Sequence, residues 1–159
     1  LVGDHRQAIV EELVNHIGTD LLRYRASYPN DLVVVQVATW NPWLAWFKDL
    51  FDVDLTTTEG FDPIPTQPEL LISIRQKILP ISDWELVGLH AGVKLTGSLV
   101  LGVALSKSAI NGDEAFETAY LDDLYQQEKW GADREKKLRL NGIQSELNAL
   151  AKWFSLIID

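Results

Sequence analysis

Ile9, Leu13 and Ile17 recur at every fourth position, an apolar stripe of α-helical period that Asp4 caps at one end and Gly18 closes at the other. A short segment, Thr19-Asp20-Leu21-Leu22-Arg23-Tyr24-Arg25-Ala26, then leads to a turn at Pro29-Asn30. The valine-rich run Leu32 to Val37 has the look of a buried strand, but with no partner strand in view a helix from Asp31 to Thr39 is expected. Asn41-Pro42 reads as the cap and first-turn proline of a separate helix, whose Trp43, Trp46, Phe47 and Leu50 repeat at three and four to form a buried face. From Val53 to Gln67 the pattern lapses into a long loop with room for a short strand at Leu55 to Thr58.

Pro68 opens the next helix, with Leu71, Ile74 and Ile78 inward, and Pro80 stops it. Ser82 or Asp83 caps the following one, predicted to run from Trp84 to Lys107. In it Gly88, Leu95 and Gly102 recur at seven, with Ala91 and Ser98 interleaved. Small residues along one seam let a second helix come close, so this is expected to be the central buried helix. Asn111 or Asp113 begins a helix that Gly131 ends, and a last helix over Asp133 to Leu156 turns Leu138, Ile143, Leu147, Leu150 and Phe154 inward. The expected fold is all-α: a single compact bundle of six or seven helices over residues 1–159, with one long loop.

Composition narrows the partners. A chain of 159 residues, 47% hydrophobic, suffices for one real core. Fourteen Lys and Arg against 23 Asp and Glu give a formal charge of −9, a field that repels phosphate backbones and anionic lipid. Neither nucleic acid nor membrane insertion is therefore expected. The most apolar stretch, Leu86 to Leu105, is interrupted by His90 and Lys94 and falls short of a membrane span. There is no cysteine, so disulfides, thiolate metal sites and cysteine nucleophiles are excluded. No targeting peptide is visible, and a first residue Leu1 rather than methionine is what a piece of a longer chain would show.

The segment Tyr120-Leu-Asp-Asp-Leu-Tyr-Gln-Gln-Glu-Lys-Trp-Gly131 is the one most suited to a partner. On a helical period Glu117, Leu121, Leu124 and Glu128 share one stripe, and Asp123, Gln127 and Trp130 a neighbouring one. Acids and an amide surface, with Tyr125 and Trp130 as anchors, suit an apolar groove or a basic patch on another protein. Catalytic alternatives are thinner. His16 and Asp20 are four apart but lack a second histidine, and they read as a capping or surface pair. His90 reads as a hydrogen-bonded core histidine, Ser98 as a lone helical hydroxyl, and Trp40, Trp43 and Trp46 as core rather than a stacking site. Asp122, Asp123 and Glu128 could serve as an acid/base pair only if a pocket surrounded them. Phosphate-binding glycine loops, nucleophile elbows and zinc motifs are all absent.

Three segments in order carry more information together: Asp20-Leu21-Leu22-x-Tyr24-Arg25, then Trp40-Asn41-Pro42, then Leu95-Thr96-Gly97-Ser98, followed by Leu121-Asp122-Asp123 with Gln126, Trp130 and Gly131. Nearly the whole chain resembles the assembly chaperones of F-type ATP synthase that escort the alpha subunit. The resemblance implies a non-enzymatic factor, with no cofactor, that binds unassembled alpha subunit and keeps it from aggregating until it pairs with beta. Bacterial members would be cytoplasmic and eukaryotic ones would reside in the mitochondrial matrix. Family members also have a β-rich N-terminal domain without counterpart here, so the chain is expected to correspond to the helical C-terminal domain.

Asp20, Tyr24, Arg25, Trp40, Pro42, Glu59, Gly60, Gly97 and Gly131 fall on family-motif positions. Asp122, Asp123, Tyr125, Gln126, Glu128 and Trp130 are expected to meet the partner. The resemblance leaves open whether Asp122 or Asp123 is the critical acid. A helical module with a different partner and a carboxylate-based enzyme are the other readings.

Overall fold

A computed structural model describes residues 3–157, with side chains from His5 onward. Helix α1 (Gly3–His16) continues into two 3-10 turns, Ile17–Thr19 and Leu21–Arg23, and then strand β1 (Tyr24–Arg25). Helix α2 (Asn30–Phe51) follows, and after it strand β2 (Thr58–Glu59), which lies parallel to β1 with Tyr24 opposite Thr58 and Arg25 opposite Glu59. The remainder is α3 (Pro68–Ile78), α4 (Asp83–Thr96), α5 (Leu99–Ser106), α6 (Gly112–Ala119), α7 (Leu121–Trp130) and α8 (Arg134–Ile157). The architecture is mostly α, as the sequence predicts, with eight α-helices among the described residues rather than six or seven. The capping role read for Asp4 lies outside the described side chains.

Three boundaries differ from the sequence reading, each for a tertiary reason. The two helices predicted on either side of Asn41-Pro42 are one 22-residue helix with Pro42 inside it. Gln36, Trp40, Phe47 and Phe51 are buried along that helix on a single stripe, so both halves face the same core. The carbonyl that loses its helical donor to Pro42 is that of Ala38, an exposed residue within reach of water. Conversely, the helix predicted over Trp84 to Lys107 is two. Gly97 closes α4 in the left-handed region (φ 73°), and Ser98 caps α5, its side chain accepting from the Leu101 N–H. The helix predicted to reach Gly131 is likewise divided at Tyr120, whose hydroxyl donates to the Leu95 carbonyl at 2.6 Å.

The small-residue seam has the predicted effect, but across a turn. A Cβ placed on Gly102 would sit 3.0 Å from Val93 Cγ2 and 3.3 Å from its backbone nitrogen, so α5 folds back closely on α4. Gly88 gives the same room to the Trp153 and Phe154 rings of α8. Every residue of α5 is buried, which makes it the central helix of the core. On α8 Leu140, Leu147 and Phe154 are buried, and Ile143 and Leu150 pack half-buried against the core as expected, whereas Leu138 is exposed. Leu50 is exposed as well. Among the described residues no helix is long and apolar enough to cross a membrane.

Surface carboxylates tie the outer helices together. Glu11 receives Arg75 through both oxygens (2.8 and 2.5 Å), Glu12 lies 2.7 Å from His90 Nε2, and Asp113 accepts from the Asn148 and Gln144 amides at 2.9 and 3.0 Å. His90 is thus half of a pair between α4 and α1, at the protein surface and not in the core. These hydrogen bonds hold the Glu11, Glu12 and Asp113 carboxyls below their ordinary values, Arg75, His90 and Asn148 being the leading cause for each in turn. A carboxyl depressed on folding contributes stability above its unfolded pKa, near 4, and that contribution is lost as pH falls through the native value. The melting temperature is therefore expected to fall as pH is lowered from about 5 to 2, and less steeply in Glu11→Gln. An identical acid slope in that variant would contradict the role given to the Glu11–Arg75 pair.

Candidate functional site

The run Leu32-Val33-Val34-Val35-Gln36-Val37 sets the character of the site. Successive helical residues are about 100° apart, so such a run cannot turn one face inward throughout. The residue that goes inside is the polar one: Gln36 is 1% exposed, while Val34, Val35 and Val37 are 56%, 43% and 47% exposed. Burial suits Gln36 because both ends of its amide are used. Oε1 accepts from the Ala26 N–H at 2.8 Å, and Nε2 donates to Asp122 Oδ1 at 2.8 Å. With Ala38, which is also exposed, the valines form an apolar ridge along the outer face of α2.

Beside the ridge runs an open groove of about 420 Å³. One wall is α2, with Val35 and Thr39. The other is the edge of α6 and α7, with Glu117, Leu121, Leu124 and Glu128, the stripe read from the sequence. Glu114, Thr118 and Tyr125 complete the lining, in which there is no basic residue. The walls are held in register by side chains reaching between them. Trp40 Nε1 donates to the Thr118 carbonyl at 2.8 Å, Gln36 holds Asp122, and the Tyr125 hydroxyl donates to Asp31 Oδ1 at 2.8 Å. Lys129 Nζ lies 3.2 Å from Asp31 Oδ2 and also over the Tyr125 ring. The Tyr125 hydroxyl, and after it Lys129, keep the Asp31 carboxyl below its usual range, and burial with the Asp31 contact pushes Tyr125 up.

The partner-facing residues expected from the sequence therefore divide into two groups. Gln126, Glu128 and Trp130 are exposed, Trp130 to 77%. Asp122 and Tyr125 are half-buried and bonded to α2, so Tyr125 is not a free anchor. Asp123 lies between the two, 3.5 Å from Lys136 Nζ and still 38% exposed. Gly131 ends the helix at φ 76°, a conformation that glycine adopts without strain.

The motif positions outside α7 hold the framework. Asp20 is not a surface or ordinary capping residue: it is fully buried and accepts from the Leu22, Leu99 and Val100 N–H groups and the Ser98 hydroxyl, at 2.7 to 3.3 Å. Ser98 is accordingly a buried cap and not a lone helical hydroxyl. His16 bonds the Gly97 carbonyl at 2.8 Å on the same junction. The Tyr24 hydroxyl donates to the Gly18 carbonyl at 2.6 Å and accepts from Ile64 N–H, and Arg25 donates to the Leu22 carbonyl with its guanidinium 5.4 Å from the Trp40 ring centre. Glu59 and Gly60 are exposed at the end of β2, and Pro42 is exposed on α2. Trp40 is core, as expected, while Trp43 and Trp46 are half-buried and meet edge to face. Among the described residues no group of three His, Asp or Glu could hold a metal.

The α2 ridge is the part of the site that the sequence reading missed. Its signal was a single glutamine within a valine run, which marks the inward direction of a helix whose apolar residues point elsewhere.

A family model described as ATP12 chaperone protein matches residues 2–48, which include the segments around Asp20 and Trp40. The crystal structure of Atp12 from Paracoccus denitrificans is 30% identical with a TM-score of 0.92, covering 99% of this chain and 67% of that one. A mutant of the Paracoccus protein aligns similarly, at 30% identity, a TM-score of 0.91, and 98% and 66% coverage. A protein from Agrobacterium tumefaciens aligns at 27% identity and a TM-score of 0.86, over 96% of this chain and 57% of that one. The chain thus spans about two thirds, or less, of the length of these structures.

Proposed function

Because the chain belongs to the ATP12 chaperone family, we propose that it is an assembly chaperone of F-type ATP synthase, one that binds unassembled alpha subunit and prevents its aggregation before it pairs with beta. In this reading the chain is the helical part of a longer chaperone and carries out no catalysis.

The observation that carries the proposal is the exposed valine ridge of α2 beside an acidic groove. A solvent-exposed apolar strip of this kind marks an interaction surface. An alpha subunit without its partner exposes an apolar interface that aggregates unless covered. Reversible cover needs apolar contact for affinity and a charged rim for rate and selectivity. Of the residues on α7, Glu128 lines the groove, whereas Gln126 and Trp130 are exposed outside its lining and in this reading meet the client only where it extends past the groove. Asp123 is more available to it than Asp122, which Gln36 holds. Asp122 and Tyr125 then act by fixing α7 against α2.

An enzyme reading has less support. Asp20, whose carboxyl burial pushes up, is sealed from solvent and committed to four donors within the fold.

Co-expression with alpha subunit tests the proposal. The wild-type chain is expected to raise the soluble fraction of alpha several-fold, and Val34→Glu with Val37→Glu to abolish the rise while leaving the melting temperature within a few degrees, because both valines are exposed. If the wild-type chain leaves alpha as insoluble as an empty vector does, the proposal fails.

A further inference from the structure

We propose that the groove between α2 and the α6–α7 edge seats an amphipathic helix of the client, one that lays an apolar stripe on the groove floor and carries lysine or arginine along its flank. The inference rests on the client-holding reading above and adds where the client sits and what its chemistry must be.

Three observations lead there. The floor is apolar: Leu121 is 7% exposed, Leu124 is half-buried, and Val35 on the facing wall is 43% exposed. Tyr125 adds ring surface, its hydroxyl being committed to Asp31. This floor continues into the valine ridge, since Val35 belongs to both.

The rim is acidic and unspent. Glu117 and Glu128 are exposed, and among the described residues neither has a hydrogen bond or ion pair with another side chain. Glu114 uses one carboxylate oxygen on the Asn111 N–H. With no cation in the lining, an occupant lacking positive charge would strip water from these carboxylates and return nothing, at a cost that disfavours binding. An occupant with lysine or arginine at its edge would pair with them.

Both walls are helices whose backbone groups are mostly bonded within the helix, the Ala38 carbonyl freed by Pro42 being an exception. An extended peptide laid in the groove would find no continuous row of open N–H and carbonyl groups to pair with, whereas a helical one satisfies its own backbone and needs only side-chain contact. The groove therefore selects for a helix over a strand, and for a basic flank over an acidic or neutral one.

The test has two arms. In the first, purified chain is bound to alpha subunit, and the wild type is compared with Glu117→Lys plus Glu128→Lys. Affinity is expected to fall more than about tenfold, with a weaker dependence on salt, while the melting temperature holds because both positions are exposed. Failure of the wild type to bind alpha subunit would overturn the chaperone reading itself. Binding by the wild type with equal binding by the reversed variant would overturn only the groove.

In the second arm, two synthetic helical peptides of about five turns share one leucine stripe and differ in flank, lysine in one and glutamate in the other. The lysine peptide is expected to bind the wild type and displace alpha subunit, and the glutamate peptide to do neither. Equal displacement by both would overturn the inference. So would a dimer of the chain that the charge reversal abolishes, since a second copy would then be the occupant.

Discussion

Replacing Asp20 with alanine is expected to cost about 3 kcal/mol or more, read as a shift of the denaturation midpoint. One carboxylate serves as acceptor for two structures: the 3-10 turn at Leu22, and the first turn of α5 at Leu99 and Val100, with the Ser98 hydroxyl between them. Burial pushes the Asp20 carboxyl up, against the pull of the Ser98 hydroxyl, His16 and the backbone donors. Removing it leaves buried donors without partners, at about 1–3 kcal/mol for an unsatisfied group, in addition to the loss of a helix cap worth about 1 kcal/mol. Asp20→Asn keeps one acceptor oxygen but sets an amide NH2 against at least one N–H donor, so it should rank between alanine and wild type. Ser98→Ala, which removes one hydroxyl, should cost about 1 kcal/mol. A loss below about 0.5 kcal/mol for Asp20→Ala, the range of an ordinary surface change, would show that this junction does not hold α5 in place.

Trp40→Ala should cost about 3–5 kcal/mol and should weaken client binding as well. The indole is 1% exposed and reaches from α2 to α6. Its N–H is the donor for the Thr118 carbonyl, and its ring lies beneath the Arg25 guanidinium. Truncation opens a cavity, orphans that carbonyl and frees α2 to move relative to the α6–α7 edge, so the two walls of the groove lose their register. Trp40→Phe separates these effects. It restores most of the packing and leaves only the carbonyl unpaired, so a smaller loss of about 1–2 kcal/mol is expected. If phenylalanine proved as costly as alanine, the hydrogen bond and not the packing would be the main tie between the walls.

Local periodicity was enough to find most of the helices, the buried segment around α5 and the Leu121–Leu124 seam. The misreadings share a cause: residues remote in sequence decided them. Asn41-Pro42 has the local signature of a helix start, but Trp40 and Phe47 reach the same core and carry the helix through it. Gly97-Ser98 has the signature of a stop and a start. The heptad of small residues argued for continuity, and the turn is fixed by Asp20, nearly 80 positions away. Asp20 itself reads as an ordinary polar residue until α5 is placed above it.

The candidate site was half legible. The acids of α7 and their stripe could be seen, because a helical period orders them without help from the rest of the chain. The α2 wall could not, because a valine run looks like core until the buried Gln36 shows which way the helix faces. Whether Asp122 or Asp123 meets a partner was likewise undecidable from spacing, since Gln36 and Lys136 come from other helices.

Light scattering of freshly diluted alpha subunit, with and without an equimolar amount of this chain, tests the chaperone assignment most directly. The chain is expected to suppress aggregation and to co-elute with alpha, and added beta subunit is then expected to release alpha into alpha–beta pairs. Aggregation at the same rate and to the same extent in the presence of the chain would contradict the assignment.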